Sequence, residues 1–355
     1  MEYTDNSLIM LDLIQRPAFT VKEGIINQVN HSAKQLLIPC GDPIFPLLLS
    51  GTEAYKTFSG GCLYLTINIS SLPYAASVNR VGDVDVFILE QPDAQAELQG
   101  LALAATYLRG PLNEIMTASD SLFPSKVLKE NPEIRQHVAQ LNLGLHQILR
   151  NVSNMADAAR LIENSAPRME CVDISSVLQE TFEKASTLLE YAKITLTFSG
   201  LSKPLYCNVN SEMLERAVYN ILSNAAKYTP AGGTIQAALV RHGAMLHLTL
   251  EDSGSGIEQQ MQETAFHRYM RQPSLEDGRA GLGLGMTLIR AAAAAHGGTV
   301  LLEQVEAGGL RITLTLAIHQ GGDTVRSPML KVDYAGERDH ALIELSDILP
   351  INIYQ

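Results

Sequence analysis

The stretch NILSNAAKYTPAGG, residues 220–233, decides how this chain is read. Asn220 and Asn224 stand four residues apart at the end of the helical pattern SEMLERAVYNILSNAAKY, so they share one helical face. Ser211 stands at the start of that pattern, where a helix N-cap is expected. Lys227 and Tyr228 follow one turn after Asn224. Two carboxamides, an ammonium and a phenol at one end of a helix suit a Mg²⁺–triphosphate. An amide oxygen fits the hard cation, and the remaining groups donate to phosphate oxygens.

Two further motifs follow in order. In EDSGSGI a strand pattern ends at Asp252, with Gly254 and Gly256 just beyond. A carboxylate there can accept a hydrogen bond from an exocyclic amine, and the glycines let a ring approach the backbone. In GLGLGMTLIR, Gly281, Gly283 and Gly285 open a helix, and a helix start presents backbone N–H groups to phosphate. Each motif alone is commonplace. In this order, and on these elements, they resemble the ATP-binding domain of sensor histidine kinases.

The resemblance covers residues 170–318. It implies an α/β sandwich of the histidine kinase and gyrase type, binding ATP and Mg²⁺. It also implies Asn224 as the Mg²⁺ ligand, Lys227 and Tyr228 at the phosphates, and Asp252 at adenine. The family's mobile lid then corresponds to the segment between Ile257 and Ala280. Within it, AFHRYMR resembles the family's Phe-containing box, with Phe266 packing and Arg268 or Arg271 nearby. A P-loop (Gly-x-x-x-x-Gly-Lys-Ser/Thr) and a protein-kinase His-Arg-Asp are both absent from the sequence. The related hydrolysing ATPases carry a general-base Glu where this chain has Asn220. An amide does not take a proton from water at neutral pH, so efficient hydrolysis is not expected.

The same resemblance extends to AATYLRGPLNEI, residues 104–115. Histidine kinases carry His-Glu-Leu-Arg-Thr-Pro-Leu on the first helix of their dimerisation hairpin. Leu108, Arg109, Pro111 and Leu112 match, followed by the usual Asn at Asn113. Thr106 therefore stands at the phosphoacceptor position and Tyr107 replaces its acidic neighbour. Gly110 replaces the residue that assists phosphatase activity. Imidazole is a nucleophile at neutral pH, whereas a Thr hydroxyl needs a base, and Tyr107 is none. His137 and His146 fall on the second helix off its seam, His296 follows the helix after the glycine motif, and His31 lies near the N-terminus. None of them stands at the acceptor position.

Outward from these motifs, the chain divides into four parts. Residues 1–91 are strand-rich and resemble a PAS domain: strand, Glu-Gly turn, strand, a short helix after Asn30, then CLYLTINIS and DVDVFILE. Residues 92–168 hold two heptad runs. One is Leu98, Leu101, Ala105, Leu108, Leu112 and Ile115. The other is Val138, Leu141, Leu145, Ile148, Val152, Met155, Ala159 and Ile162. A polar, Pro-containing break between them makes a helical hairpin, and two such hairpins would form a four-helix bundle in a homodimer. Residues 169–320 are the ATP-binding part, read as one sheet covered on one face by helices, and 321–355 a tail. The fold class expected is multidomain α+β.

The composition fits this reading. The 355 residues are 46% hydrophobic and 18% charged, as in globular proteins, and a net charge of −12 excludes an ordinary nucleic-acid surface. Cys40, Cys62, Cys171 and Cys207 form no CxxC pair. No run approaches about 18 apolar residues, so no transmembrane helix is expected and the setting is read as cytoplasmic. The function that follows is an ATP-binding homologue of two-component sensor kinases, with the acceptor His replaced. Its partner would be a response regulator or another histidine kinase. The alternatives are an active kinase that phosphorylates a non-standard residue or a partner protein, and a non-catalytic dimeric scaffold.

Overall fold

The computed structural model describes residues 11–89, 94–160, 167–256, 284–306, 308–319 and 339–355. Gly281, Gly283, the lid with Phe266, Arg268 and Arg271, and Ile162 lie outside the described residues.

Five antiparallel strands come first: β1 (Ala18–Lys22), β2 (Ile25–Val29), β3 (Cys62–Ile69), β4 (Leu72–Val81) and β5 (Val84–Leu89). Their order in the sheet is β2-β1-β5-β4-β3. Helix α1 (His31–Gln35) starts at Asn30, whose side chain accepts from the Ala33 N–H. Helix α2 (Thr52–Thr57) brings Tyr55 beneath the sheet. There the Tyr55 hydroxyl donates to Asp85 at 2.8 Å, and Asp85 also accepts from Arg80, so a buried carboxylate is paired twice.

Helix α3 (Ala94–Leu122) runs on through Pro111 and packs on α5 (Pro132–Arg160). The break between them holds a further short helix, α4 (Ser125–Glu130), where a plain turn was expected. The expected seam divides in two. Ala105, Leu112, Val138, Leu145 and Val152 are buried, whereas Leu108, Ile115, Leu141 and Ile148 are exposed. Met116 and Leu149 complete the buried side.

The remaining elements are β6 (Glu170–Asp173), α6 (Ile174–Tyr191), β7 (Thr195–Ser199), β8 (Tyr206–Val209) and α7 (Ser211–Tyr228). They continue with β9 (Thr234–His242), β10 (Met245–Asp252), α8 (Gly285–Ala295), β11 (Val300–Gln304) and β12 (Leu310–Ala317). Strands β6 and β8 form a small sheet of their own that the sequence pattern did not reveal. The other described strands form a sheet in the order β11-β12-β10-β9-β7, in which β7 and β9 are parallel and the remaining described pairs antiparallel.

This second sheet is continuous with the first. Cys62, Leu63 and Tyr64 of β3 pair with Leu302, Leu301 and Val300 of β11, giving ten strands in one sheet. The period-two alternation of β3 serves both halves. Leu63, Leu65 and Ile67 enter the first core, while Cys62 and Tyr64 enter the core beneath α6, α7 and α8. Finally α9 (His340–Glu344) and the 3₁₀ turn Ile351–Tyr354 dock back onto the body.

Candidate functional site

Helix α7 carries most of the expected site. It is capped by Asn210, not Ser211: the Asn210 side chain accepts from the Met213 N–H at 2.8 Å. The Asn210 backbone N–H in turn donates to Nε2 of His296 at 3.0 Å, while Nδ1 of that ring faces the Ala292 carbonyl at 2.6 Å. The accepting Nε2 assigns the proton to Nδ1, so His296 is a neutral, buried cap joining the ends of α7 and α8. Burial lowers its pKa below the ordinary imidazole value, opposed by the bond to Ala292.

Asn220 is buried, and its Nδ2 donates to the Arg216 carbonyl at 2.9 Å. Its Oδ1 faces the start of α8: a Cβ at Gly285 would stand 2.8 Å from that oxygen. The glycine is what lets the helix start close on the amide. One turn on, Asn224 donates through Nδ2 to the Met286 sulfur at 3.2 Å. That leaves its amide oxygen as the acceptor for a hard cation.

Asp252 ends β10, buried between β9 and β12. Its Oδ1 accepts from the Gly254 N–H at 2.8 Å, and the Leu310 N–H also bonds the carboxylate. Burial raises its pKa, while these two amides pull the other way. A carboxylate has about four acceptor sites, so two amides leave capacity for a ligand amine. Gly254 sits in a gap a side chain would fill, since its Cβ would stand 2.5 Å from the Tyr228 carbonyl oxygen. Gly256 has φ +71°, a left-handed conformation. The three motifs therefore converge: Asn220 meets Gly285, Asp252 bonds Gly254, and Gly254 lies against the end of α7 at Tyr228.

Lys227 and Tyr228 part company. Tyr228 is 55% exposed. Lys227 is turned inward, and its Nζ lies 2.7 Å from Asp347 in the segment 339–355. Asp347 also accepts from Arg150 of α5 at 2.5 Å. Beside them, Glu344 lies between Arg150 at 3.4 Å and Arg216 of α7 at 3.2 Å. Arg216 further donates to Asn154 at 2.9 Å and to Asp157. None of this network was expected from the motifs. Its one trace in the sequence is Arg216, a cation inside the otherwise well-buried run of α7.

Thr106 sits exposed on α3, and its hydroxyl donates to the Ala102 carbonyl of its own helix at 2.9 Å. Tyr107 is 73% exposed. The start of α8 is docked nearby: Leu284 and Leu288 pack with Leu101 of α3 and with Met155 and Ala158 of α5. Thr106 lies about 7.5 Å further along the α3 axis and about 140° round it from Leu101, so it points away from the docked helix. Of the other histidines, His146 stacks edge-on against Tyr354 at 5.0 Å, while His31 and His137 stay on the surface. Among the described residues no group of three His, Cys, Asp or Glu side chains is arranged to hold a metal. A cation here would rest on Asn224 and ligand oxygens.

Residues 209–320 match the family model of histidine kinase-, DNA gyrase B- and HSP90-like ATPases. Over 234 residues the chain is 26% identical to hybrid signal transduction histidine kinase D of Dictyostelium discoideum, covering 63% of this chain and 15% of that protein. Over 270 residues it is 27% identical to the adaptive-response sensory kinase SasA of Synechocystis sp., covering 71% of this chain and 68% of the relative. The crystal structure of full-length ShkA with AMPPNP shares the fold, with a TM-score of 0.51 at 21% identity over 63% of this chain and 47% of that one. The chain thus spans only a minor part of the first relative. The motifs, their convergence and these likenesses agree on one point: residues 209–320 form an ATP-binding domain of the histidine kinase type, and the chain around it is similar to sensor histidine kinases.

Proposed function

We propose that this protein is a nucleotide-binding pseudokinase of two-component signalling. In this reading residues 1–91 are a PAS-like sensor, 92–168 a dimerisation hairpin, 169–320 the ATP-binding domain and 321–355 a tail. The observation that carries it is the contrast between two places in one chain. Asn220, Asn224, Asp252, Gly254 and Gly285 converge as a nucleotide site needs. At position 106, where the family places its acceptor, a Thr hydroxyl is bonded to its own helix.

Asp252 accepts the adenine amine, and Asn224 holds the Mg²⁺ that neutralises phosphate charge. Lys227, Tyr228 and the glycine-started helix α8, with Gly281 and Gly283 before it, serve the phosphates. The sheet order β2-β1-β5-β4-β3 supports the PAS-like reading.

The homodimer is supported by two exposed apolar stripes at seven-residue spacing. They are Leu108, Ile115 and Leu122 on α3, and Ile134, Leu141 and Ile148 on α5. A second hairpin would cover both. A response regulator or another histidine kinase would read the dimer's state. The four free thiols support a cytoplasmic setting.

Titration calorimetry tests the nucleotide site. Mg–ATP is expected to bind, and more weakly when EDTA removes the cation. Absence of adenine-nucleotide binding by the native chain would overturn the reading in favour of a scaffold.

A further inference from the structure

We propose that residues 339–355 are an autoinhibitory latch: Asp347 holds the ammonium of Lys227 in place of nucleotide phosphate and clamps the ATP-binding domain to the hairpin. The inference rests on the reading of Lys227 as a phosphate ligand.

The segment is built as a wedge between two bodies. Asp339 caps α9 by accepting from the Ala341 N–H at 2.9 Å. Ala341, Leu345, Leu349 and Tyr354 then enter the core of the ATP-binding half, while Ile343 enters the core between α3 and α5. On the hairpin side, Asn142 donates to the Tyr354 carbonyl at 3.1 Å and Gln147 to the Ser346 carbonyl at 3.3 Å. The Tyr354 hydroxyl donates back to the Leu342 carbonyl at 2.8 Å, holding the segment in its fold.

The two acidic side chains span the junction. Glu344 faces Arg150 of α5 and Arg216 of α7, and Asp347 faces Arg150 and Lys227 of α7. Each carboxylate therefore has one cation on the hairpin and one on the nucleotide helix. Arg150, Arg216, Lys227 and Glu344 are almost wholly withdrawn from water, where ion pairs are little screened.

Competition follows from charge. A triphosphate brought to Lys227 would place several negative charges beside the Asp347 carboxylate, on the same ammonium. Repulsion between them favours either the docked segment or the bound phosphate, not both. Binding is reciprocal, so nucleotide must loosen the segment by the factor by which the segment weakens nucleotide. The docked state also agrees with the position of α8 against Leu101, which leaves the face of α3 bearing Thr106 turned away.

The test uses the full chain, with a fluorescent trinitrophenyl-ATP displaced by Mg–ATP, in the native protein, in Asp347→Asn and in Tyr354→Ala. The first variant removes the competing charge with little change of shape. The second undocks the segment without touching Lys227. Both are expected to bind Mg–ATP about tenfold more tightly than the native chain. In the native protein, saturating Mg–ATP is expected to speed hydrogen exchange at residues 340–349, a readout that needs no variant.

Unchanged or weaker affinity in both variants would overturn the latch while leaving the nucleotide site standing. A gain in Asp347→Asn alone would reduce the effect to local charge and equally overturn it. Exchange slowed by nucleotide would make the segment a clasp closed by ATP, the reverse of the proposal. No nucleotide bound by any of the three proteins would remove the nucleotide reading itself, and the latch with it.

Discussion

Asp252 is a carboxylate held in a place that disfavours its charge. Burial raises its pKa above the ordinary carboxylate value of 3.8. Such a group binds its proton more tightly folded than unfolded, so its ionisation costs stability as pH rises through that window. Asp252→Asn is therefore expected to melt no lower than the native protein at pH 7, with any gain growing from pH 4 upward. The same change should weaken Mg–ATP binding by about 1.5–3 kcal/mol, because a charged acceptor for the adenine amine is lost. Calorimetry and thermal unfolding of one variant would show whether the two effects part in this way. His296 gives the opposite slope. Its pKa lies below the ordinary 6.5, so the stability it contributes is complete above that value and is lost as pH falls below it. Thermal melts from pH 7.5 to 5 should fall, and His296→Gln should flatten part of that fall. His247, also lowered by burial, supplies another part. Asn220, Asn224, Asp252 and Gly285 were legible in the sequence because their chemistry needs fixed local spacing. Asp347 was not, since its partner Lys227 stands 120 residues away and no local pattern joins them.

At the scale of elements, heptad periodicity located both helices of the hairpin but did not sort their faces. Leu141 and Leu145 read alike in the sequence, yet Leu145 is buried against α3 and Leu141 is exposed. In the proposed homodimer the seven-residue repeat would describe a bundle of four helices, of which a single chain fills only half. The two positions should therefore answer differently to the same change. Leu145→Asp buries an unpaired charge and should lower the chain's own stability by at least about 3 kcal/mol. Leu141→Asp should leave thermal stability of the monomer nearly unchanged and dissociate the homodimer, as read by light scattering. A protein that is monomeric with native Leu141 would overturn the proposed bundle. Caps show the same limit at closer range. Asn210 and Ser211 are both good capping residues, and it is Asn210, in extended conformation, whose side chain accepts from Met213.

For the whole molecule, the strand and helix patterns and the order of the motifs indicated an α+β chain with an ATP-binding part, and the structure bears out that coarse plan. The joining of the two sheets through β3 and β11 was not legible. It depends on two strand edges meeting, and an edge is a property of the folded sheet, not of its sequence. The same holds for segment 339–355, whose apolar residues are too few to announce which core they enter. Together these contacts tie the first sheet, the hairpin and the ATP-binding domain together, with Thr106 left exposed. We propose that the protein in this form holds ATP and transfers no phosphate. This is tested most directly by incubating the native chain with saturating γ-labelled Mg–ATP and measuring retained label before and after denaturation. Label is expected to be retained by the folded protein and to be lost on unfolding. Acid-labile, base-stable label that survives denaturation would contradict the proposal, and so would a folded protein that retains no label at all.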